Sequence, residues 1–400
     1  MDHIQVSVFA RTDVGMHRSG NEDSFLVADL TTGNVGLGPD ISAHQVGERG
    51  SLMIVSDGMG GAAAGEVASE MAVATICDSL MSEPPQVEIA DRLRAATETA
   101  NQRIWDHSQE NLELSGMGAT VTAALVQGTS AYIAQVGDSR AYLVRDGRIK
   151  QLTKDQSLAQ MLFDSGAVNL EQMAAVPQNV IMQALGTQPE VKVAMSALQL
   201  FRNDCLILCS DGLSNKVSPD ELSETVQSAP DLTEACRLLI EKANERGGED
   251  NITVVIARFD GEALHAAGDD KSITASFSPI SQEYFDARAL DQYVAGQSKE
   301  HTQSTTLISA AAASVVEKTE PTDSQVEEPA TRFDESFPQL ELEPRERAAP
   351  PFVRRGLLLI VVIGLLSMFL LLATAYFFYE NYLKEHPREL QEQNTTTPLG

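Results

Sequence analysis

The sequence predicts an α+β fold in which antiparallel strands and paired helices form packed layers. Three observations predict it. Short apolar runs of strand character recur through the first 260 residues, separated by turns rich in glycine and aspartate. Three such runs follow one another between residues 119 and 144 and lead into the hairpin dipeptide Asp146-Gly147. Helical periodicity comes in pairs rather than after every strand, which disfavours a doubly wound parallel sheet.

In chain order, residues 5–10 alternate with Val6, Val8 and Ala10 on one face, a strand signal. Residues 52–56 are continuously apolar and read as a buried strand. Residues 62–81 read as a helix, with Val67, Met71, Ala74 and Cys77 at three- and four-residue spacing. A second helix is expected over 89–107, with Leu93, Ala96, Ala100 and Ile104 on one face. Residues 119–126, 131–136 and 141–144 are strand-like, and Asp146-Gly147 turns the chain into 148–152. After the apolar run 205–210, Ser218, Pro219 and Glu221 open a helix as N-cap, first-turn proline and capping-box partner. Residues 231–246 form another helix, and 252–259 a last strand.

The formal net charge of −28 excludes a nucleic-acid binder, whose affinity rests on basic residues. The four cysteines form no CxxC pair, so neither a zinc site nor a disulfide framework is indicated. Cys205 and Cys209 lie on one face of an apolar strand and read as small core residues. No basic, apolar and small-residue series marks the N-terminus as a cleaved signal peptide.

Composition divides the chain. Residues 1–260 have globular texture. Residues 261–350 carry 17 acidic against 7 basic residues and are rich in Ser, Thr, Pro and Ala. Such a segment cannot bury enough apolar area to offset its ordering entropy, so an acidic disordered linker is expected, with a short helix or docking motif near 277–294. Residues 356–379 are uncharged and apolar, 24 in all, with Tyr376, Phe377, Phe378 and Tyr379 at one end. At ~1.5 Å per residue that length spans a ~30 Å hydrocarbon core, so a transmembrane helix is expected. Arg345, Arg347, Arg354 and Arg355 precede it and Lys384 and Arg388 follow it, which puts the N-terminal side in the cytoplasm and 380–400 outside as a short tail. The expected location is therefore the cell (inner) membrane, crossed once, with the globular domain cytoplasmic.

Five aspartates carry the chemistry. Asp57 ends the run 51–56, Asp138 follows the strand-like 131–137, Asp211 follows 205–210, and Asp250 precedes 252–256; Asp23 lies earlier in the chain. An aspartate after a strand is ordinarily a turn residue. Repeated at several strand ends, however, the pattern points to one site assembled from distant segments, since hard divalent cations need several carboxylate and carbonyl oxygens at once.

The motifs occur in a fixed order. They are Thr12-Asp13-Val14-Gly15, Arg18, Asn21-Glu22-Asp23, Asp57-Gly58-Met59-Gly60-Gly61, Gly65-Glu66-Val67-Ala68-Ser69, Gly118-Ala119-Thr120, Gly137-Asp138-Ser139-Arg140-Ala141-Tyr142, Leu152-Thr153-Lys154-Asp155, Ser210-Asp211-Gly212-Leu213 and Asp250-Asn251-Ile252-Thr253. In this order the chain resembles the metal-dependent serine/threonine protein phosphatases, type 2C or PPM, in their bacterial branch. The resemblance implies a four-layer α/β/β/α sandwich, a central antiparallel β-sandwich flanked by helices. It implies that Asp23 and Asp57 flank a pair of Mn²⁺ or Mg²⁺ ions, that Gly58 offers its carbonyl, and that Asp211 and Asp250 complete the set. Asp138 with Asp211 would hold a third, weaker ion, and Arg18 would bind the phosphate. The implied reaction is hydrolysis of phosphoserine and phosphothreonine in proteins. Two dications lower the pKa of a shared water, and the resulting hydroxide attacks phosphorus in line. All-oxygen ligation suits Mg²⁺ or Mn²⁺ rather than zinc, and a guanidinium suits a phosphoryl group.

Two positions depart from the family pattern. Met59 stands where many members carry a histidine that protonates the leaving group, and Gln156 stands where bacterial relatives often have histidine. The segment 157–183 corresponds to a flap beside the site and is expected to help choose the phosphoprotein. Asn251 reads as a turn-holding residue, and Glu22 as a neighbour of the site rather than a ligand. The implied partners are phosphoproteins, Ser/Thr kinases and their substrates among them. Three other readings remain: a catalytically dead phosphoprotein-binding scaffold, which needs a lost ligand; a phosphatase of a partner-switching regulator; and a membrane adaptor whose linker is the working part.

Overall fold

The computed structural model describes residues 3–36, 42–82, 87–173, 175–267 and 273–278. The chain opens with β1 (Gln5–Asp13), β2 (Asp23–Asp29), β3 (Asn34–Val35), β4 (Ser42–Gln45) and β5 (Ser51–Met59). Two long helices follow, α1 (Ala62–Ser82) and α2 (Ile89–Glu110). Next come β6 (Gly118–Ala119), β7 (Val121–Gln127), β8 (Ser130–Val136), β9 (Arg140–Arg145) and β10 (Arg148–Gln151). Short helices α3 (Leu158–Asp164) and α4 (Leu170–Met173) precede β11 (Ala194–Gln199) and β12 (Cys205–Cys209). The last elements are α5 (Asp211–Ser214), α6 (Pro219–Ser228), α7 (Leu232–Glu245), β13 (Ile252–Asp260) and β14 (Ala275–Ser278).

The strands form two antiparallel sheets. One runs β10-β9-β12-β13-β1-β4; the other runs β14-β11-β8-β7-β5-β2-β3, with β6 paired to β5. Side-chain alternation explains why the central strands are continuously apolar. On β5, Met53 and Val55 point into the core between the sheets with Val6, Val8, Leu206, Leu208, Val255 and Ala257. Leu52 and Ile54 point the other way, onto α1 and α2, where they meet Ala68, Ile76, Leu93 and Ile104. On β12, Cys205, Ile207 and Cys209 face α6 and α7 through Val226, Cys236, Leu239 and Ile240. Both faces of both sheets are thus covered, so period-2 polarity is lost where it would normally be read. The α+β reading is correct, with two antiparallel sheets flanked by helices.

Structure and expectation differ at defined places. The expected strand 119–126 breaks at Thr120, whose backbone N–H bonds to Asp57 O at 2.8 Å while its hydroxyl accepts from Asp57 N at 3.0 Å. The capping box of α6 forms as expected. Past residue 260 the chain stays packed. Leu264 is buried in the core between the sheets, and Ala275–Ser278 adds a strand to β11. Phe277 and Ser278 are therefore in a strand, not in the short helix expected from 277 onward; the rest of that segment lies outside the described residues. Among the described residues no helix is long and apolar enough to cross a membrane. The span expected at 356–379, its flanking charges and the tail 380–400 lie outside the described residues.

Candidate metal centre

The two sheets deliver the aspartates to one end of the sandwich. Asp23 opens β2 and Asp57 lies near the end of β5, and the two are register partners across the β2–β5 ladder. Asp138 sits in the β8–β9 turn, Asp211 is the first residue of α5, two residues after β12, and Asp250 lies two residues before β13. The structure therefore brings together all five predicted carboxylates, with Asp57 in the fields of Asp23, Asp211, Asp138 and Asp250.

Burial and mutual repulsion set the electrostatics. Asp57 is driven well above the usual carboxylate range, first by burial, then by Asp23 and the other three acids. Asp23 is pushed up to about 7 by burial, against the lowering effect of its bonds to Thr253 and Ser210. Asp138 is pushed up to about 7 by burial, then by Asp211 and Asp155, and Asp211 is raised by burial and then by Asp250. Several buried acids that raise one another's pKa are held together only at a cost that opposite charge would remove.

Unpartnered oxygens point to the same need. Among the described residues, Asp23 Oδ1, Asp138 Oδ1 and Asp211 Oδ1 are buried without a hydrogen-bond donor. Such atoms are rare in folded proteins and cost about 1–3 kcal/mol each. The donor set is all oxygen, which fits hard divalent cations. The carboxylates are gathered but not closed: among the described residues no three His, Cys, Asp or Glu side chains form a ready-made coordination shell.

Backbone packing fits the same purpose. A Cβ at Gly58 would lie 2.1 Å from Gly65 O and 2.7 Å from Glu22 O, so only glycine brings this carbonyl into place. Gly137 has φ +99°, and its turn aims Asp138 inward. That turn is stapled by Gln156, which is buried. Its backbone N–H donates to Gly137 O at 3.0 Å, and its Oε1 accepts from Gly137 N at 2.9 Å. The residue at this departure from the family pattern thus holds the Asp138 turn.

Hydroxyls orient Asp23. Its Oδ2 accepts from Ser210 Oγ at 2.8 Å and from Thr253 Oγ1 at 2.6 Å. Thr253 Oγ1 lies 2.7 Å from Thr12 Oγ1, which in turn accepts from Asn21 Nδ2 at 2.8 Å. Asn251 ties the loops together, accepting from Glu22 N and donating to Val14 O and Gly20 O. Sequence reasoning missed Ser210, Thr253 and Thr12 as orienting residues. Their one visible signal was position, beside or three residues from a motif aspartate.

Arg18 lies at the rim, 47% exposed, and donates through Nη2 to Asp250 Oδ2 at 2.9 Å. Glu22 stands 3.9 Å from Arg18 Nη1 and is only 12% exposed. Met59, partly exposed, ends β5 beside the site. A polar cleft of about 80 Å³ opens beside Asp138 and Asp211; Arg140 and Asp155 form one wall, and Gln160 and Met173 reach it from the 157–183 segment. Arg140 grips Asp155 through Nε and Nη2 at 2.9 and 2.6 Å.

An oxygen-only carboxylate cluster at the end of a helix-flanked β-sandwich defines a candidate divalent-cation centre of the phosphoester-hydrolase type. Comparison with known proteins agrees. A family model described as protein phosphatase 2C matches residues 38–247. The serine/threonine phosphatase stp of Listeria monocytogenes is 39% identical over 213 residues, 52% of this chain and 84% of its own length. The serine/threonine protein phosphatase PstP of Mycobacterium tuberculosis is 38% identical over 249 residues, which make up 62% of this chain and 44% of that protein. A crystal structure of the M. tuberculosis phosphatase PstP/Ppp superposes with a TM-score of 0.55 at 35% identity, covering 65% of this chain and 99% of that one. A PstP catalytic domain solved in complex with two manganese ions gives 0.54 at 35% identity, covering 64% of this chain and 99% of that one. The chain belongs to the protein phosphatase 2C family and is a serine/threonine protein phosphatase by that membership.

Proposed function

We propose that this protein is a membrane-anchored phosphatase of phosphoserine and phosphothreonine proteins, dependent on Mn²⁺ or Mg²⁺, with its catalytic domain in the cytoplasm. The observation that carries the catalytic part is the convergence of Asp23, Asp57, Asp138, Asp211 and Asp250, with three buried carboxylate oxygens that accept no hydrogen bond. Asp23, Asp57, Asp211, Asp250 and the Gly58 carbonyl would hold two ions, and Asp138 with Asp211 a third, weaker one. Bound there, the cations supply Lewis acidity that activates water and neutralises phosphoryl charge.

The chain's own residues do the rest. Ser210 and Thr253 fix the orientation of Asp23. Thr120 fixes the backbone of Asp57 on both its N–H and its carbonyl. Arg18 spends one N–H group on Asp250 and keeps others for a phosphoryl oxygen. Met59 carries no proton to give the departing serine or threonine oxygen.

The anchor rests on the 24-residue apolar run 356–379 and its flanking arginines. In this reading the domains are 1–260, the linker 261–350, the span 356–379 and the tail 380–400, with ordered packing continuing past 260 as described above. A membrane tether raises local concentration, so membrane Ser/Thr kinases and their substrates are the proposed phosphoproteins. Purified protein should hydrolyse p-nitrophenyl phosphate with Mn²⁺ and stop with EDTA; activity indifferent to EDTA would refute the metal reading. Membrane extraction separates the anchor: protein released by carbonate washing would remove it.

A further inference from the structure

The segment expected to begin the linker is attached to both sheets, at two places that matter for the flap 157–183. β10 is the terminal strand of its sheet and leads, through 152–156, into the flap. Beyond the flap the chain pairs at Leu185 with Ala119 and then enters β11, which would end the other sheet were β14 not paired to it. The two roots are tied directly: Ser196 Oγ of β11 donates to Leu152 O at 2.9 Å.

Residues 273–278 reach both roots. Ala275–Ser278 pairs antiparallel with β11 in the register Met195↔Ser278, Ser196↔Phe277, Ala197↔Ser276 and Leu198↔Ala275. Ser276 Oγ adds a bond to Ala197 O at 3.2 Å. On the other sheet, Lys150 Nζ of β10 donates to Ile273 O at 2.7 Å. Ile273 and Ala275 pack, partly buried, against the core between the sheets.

The flap itself is a small separate body. Leu158, Ala159, Met161, Leu162, Val168 and Val176 form their own cluster. Ser157, Gln160, Met173 and Gln178 of the flap line the cleft beside Asp138 and Asp211. A body with its own core, joined by two roots, pivots according to how firmly the roots are held.

We propose that residues 273–278 act as a strap in cis, gripping both roots of the flap and so setting the affinity for phosphoprotein substrate. The effect on substrate rests on the phosphatase reading; the grip on the edge strands does not. It gives the chain beyond residue 278 a mechanical route to the site, because tension or binding there would peel β14 from β11.

The test uses the full chain with 273–278 replaced by a Gly-Ser sequence of equal length, and separately Lys150→Met. Hydrogen exchange of the β11 amides should quicken about tenfold or more in the replacement and less in Lys150→Met, with the flap following. The KM for a phosphothreonine peptide should rise about threefold or more, while kcat for p-nitrophenyl phosphate stays within about twofold. Unchanged exchange in both variants would overturn the strap. So would an equal fall in kcat on both substrates together with a lower melting temperature, the mark of simple destabilisation. A parent protein inactive on both substrates would sink the phosphatase reading and with it the effect on KM, while the exchange data would still decide the grip.

Discussion

Asp23 and Asp57 face each other as register partners across the β2–β5 ladder, two acids on neighbouring strands at the same level. Like charges placed directly opposite destabilise a sheet, and a cation between or beside them removes that repulsion. Asp57→Asn keeps the shape and removes one negative charge. Loss of a residue that merely orients a ligand costs about 10–100-fold, so loss of this ligand should cost Mn²⁺-dependent turnover at least about 10²-fold. The same change relieves repulsion, and the melting temperature in EDTA should hold or rise. A variant that keeps full activity would remove Asp57 from the centre.

Gly58 is held by packing as much as by chemistry. A Cβ there meets the backbone oxygens of Gly65 and Glu22, neither of which can swing aside. Gly58→Ala should therefore destabilise by about 1–3 kcal/mol, lowering Tm by roughly 3–10 °C, and reduce activity by displacing the carbonyl. Gly20→Ala, where an added Cβ meets nothing within 4 Å, is the control and should melt like the parent. Thermal melts of the two side by side check this.

The parts of the fold visible in the sequence were those whose signal is local. The runs 52–56 and 205–209 announced themselves because both faces are buried, and the α6 capping box because its residues are adjacent in sequence. β2 was overlooked because it is a short apolar stretch bounded by Asp23 and Asp29, which look like turn residues. β11, Ala-Met-Ser-Ala-Leu-Gln, contains no β-branched residue, and its strand conformation comes from pairing with β8. The site divides the same way. The aspartates stood out by their recurrence at strand ends. Ser210 and Thr253 did not, because their bonds to Asp23 close over 187 and 230 residues of chain. No local pattern encodes which hydroxyl will meet which acid.

Stability without metal should fall as pH rises through the neutral range. Asp23 and Asp138 titrate near 7 in the folded protein, raised by burial from the ordinary value of 3.8. Between these values the folded state keeps protons that the unfolded chain has lost, so stability is greatest at the acid end of that window and declines toward pH 7 and above. Melting in EDTA should show Tm lower at pH 8 than at pH 5.5, and Asp138→Asn should flatten the slope. Saturating Mn²⁺ should raise Tm most at the alkaline end, since it binds the deprotonated acids. A Tm that climbs from pH 5.5 to 8 in EDTA would contradict the assignment.

Arg18 separates binding from folding. Its bond to Asp250 joins two residues that are 47% and 37% exposed, and exposed ion pairs contribute about 0–1 kcal/mol. Arg18→Lys should accordingly leave Tm within about 2 °C of the parent. Lysine keeps the charge but loses the planar fork that can hold Asp250 and a phosphoryl oxygen together. A hydrogen bond to a charged group is worth about 1.5–3 kcal/mol, so KM for p-nitrophenyl phosphate should rise about tenfold or more. If Arg18 serves substrate binding, the KM change should exceed any change in kcat. A fall in kcat with KM untouched would instead place its effect on the reacting state, and a fall in Tm of more than a few degrees would make it a structural residue. Steady-state kinetics and a melt on the same preparation distinguish the three.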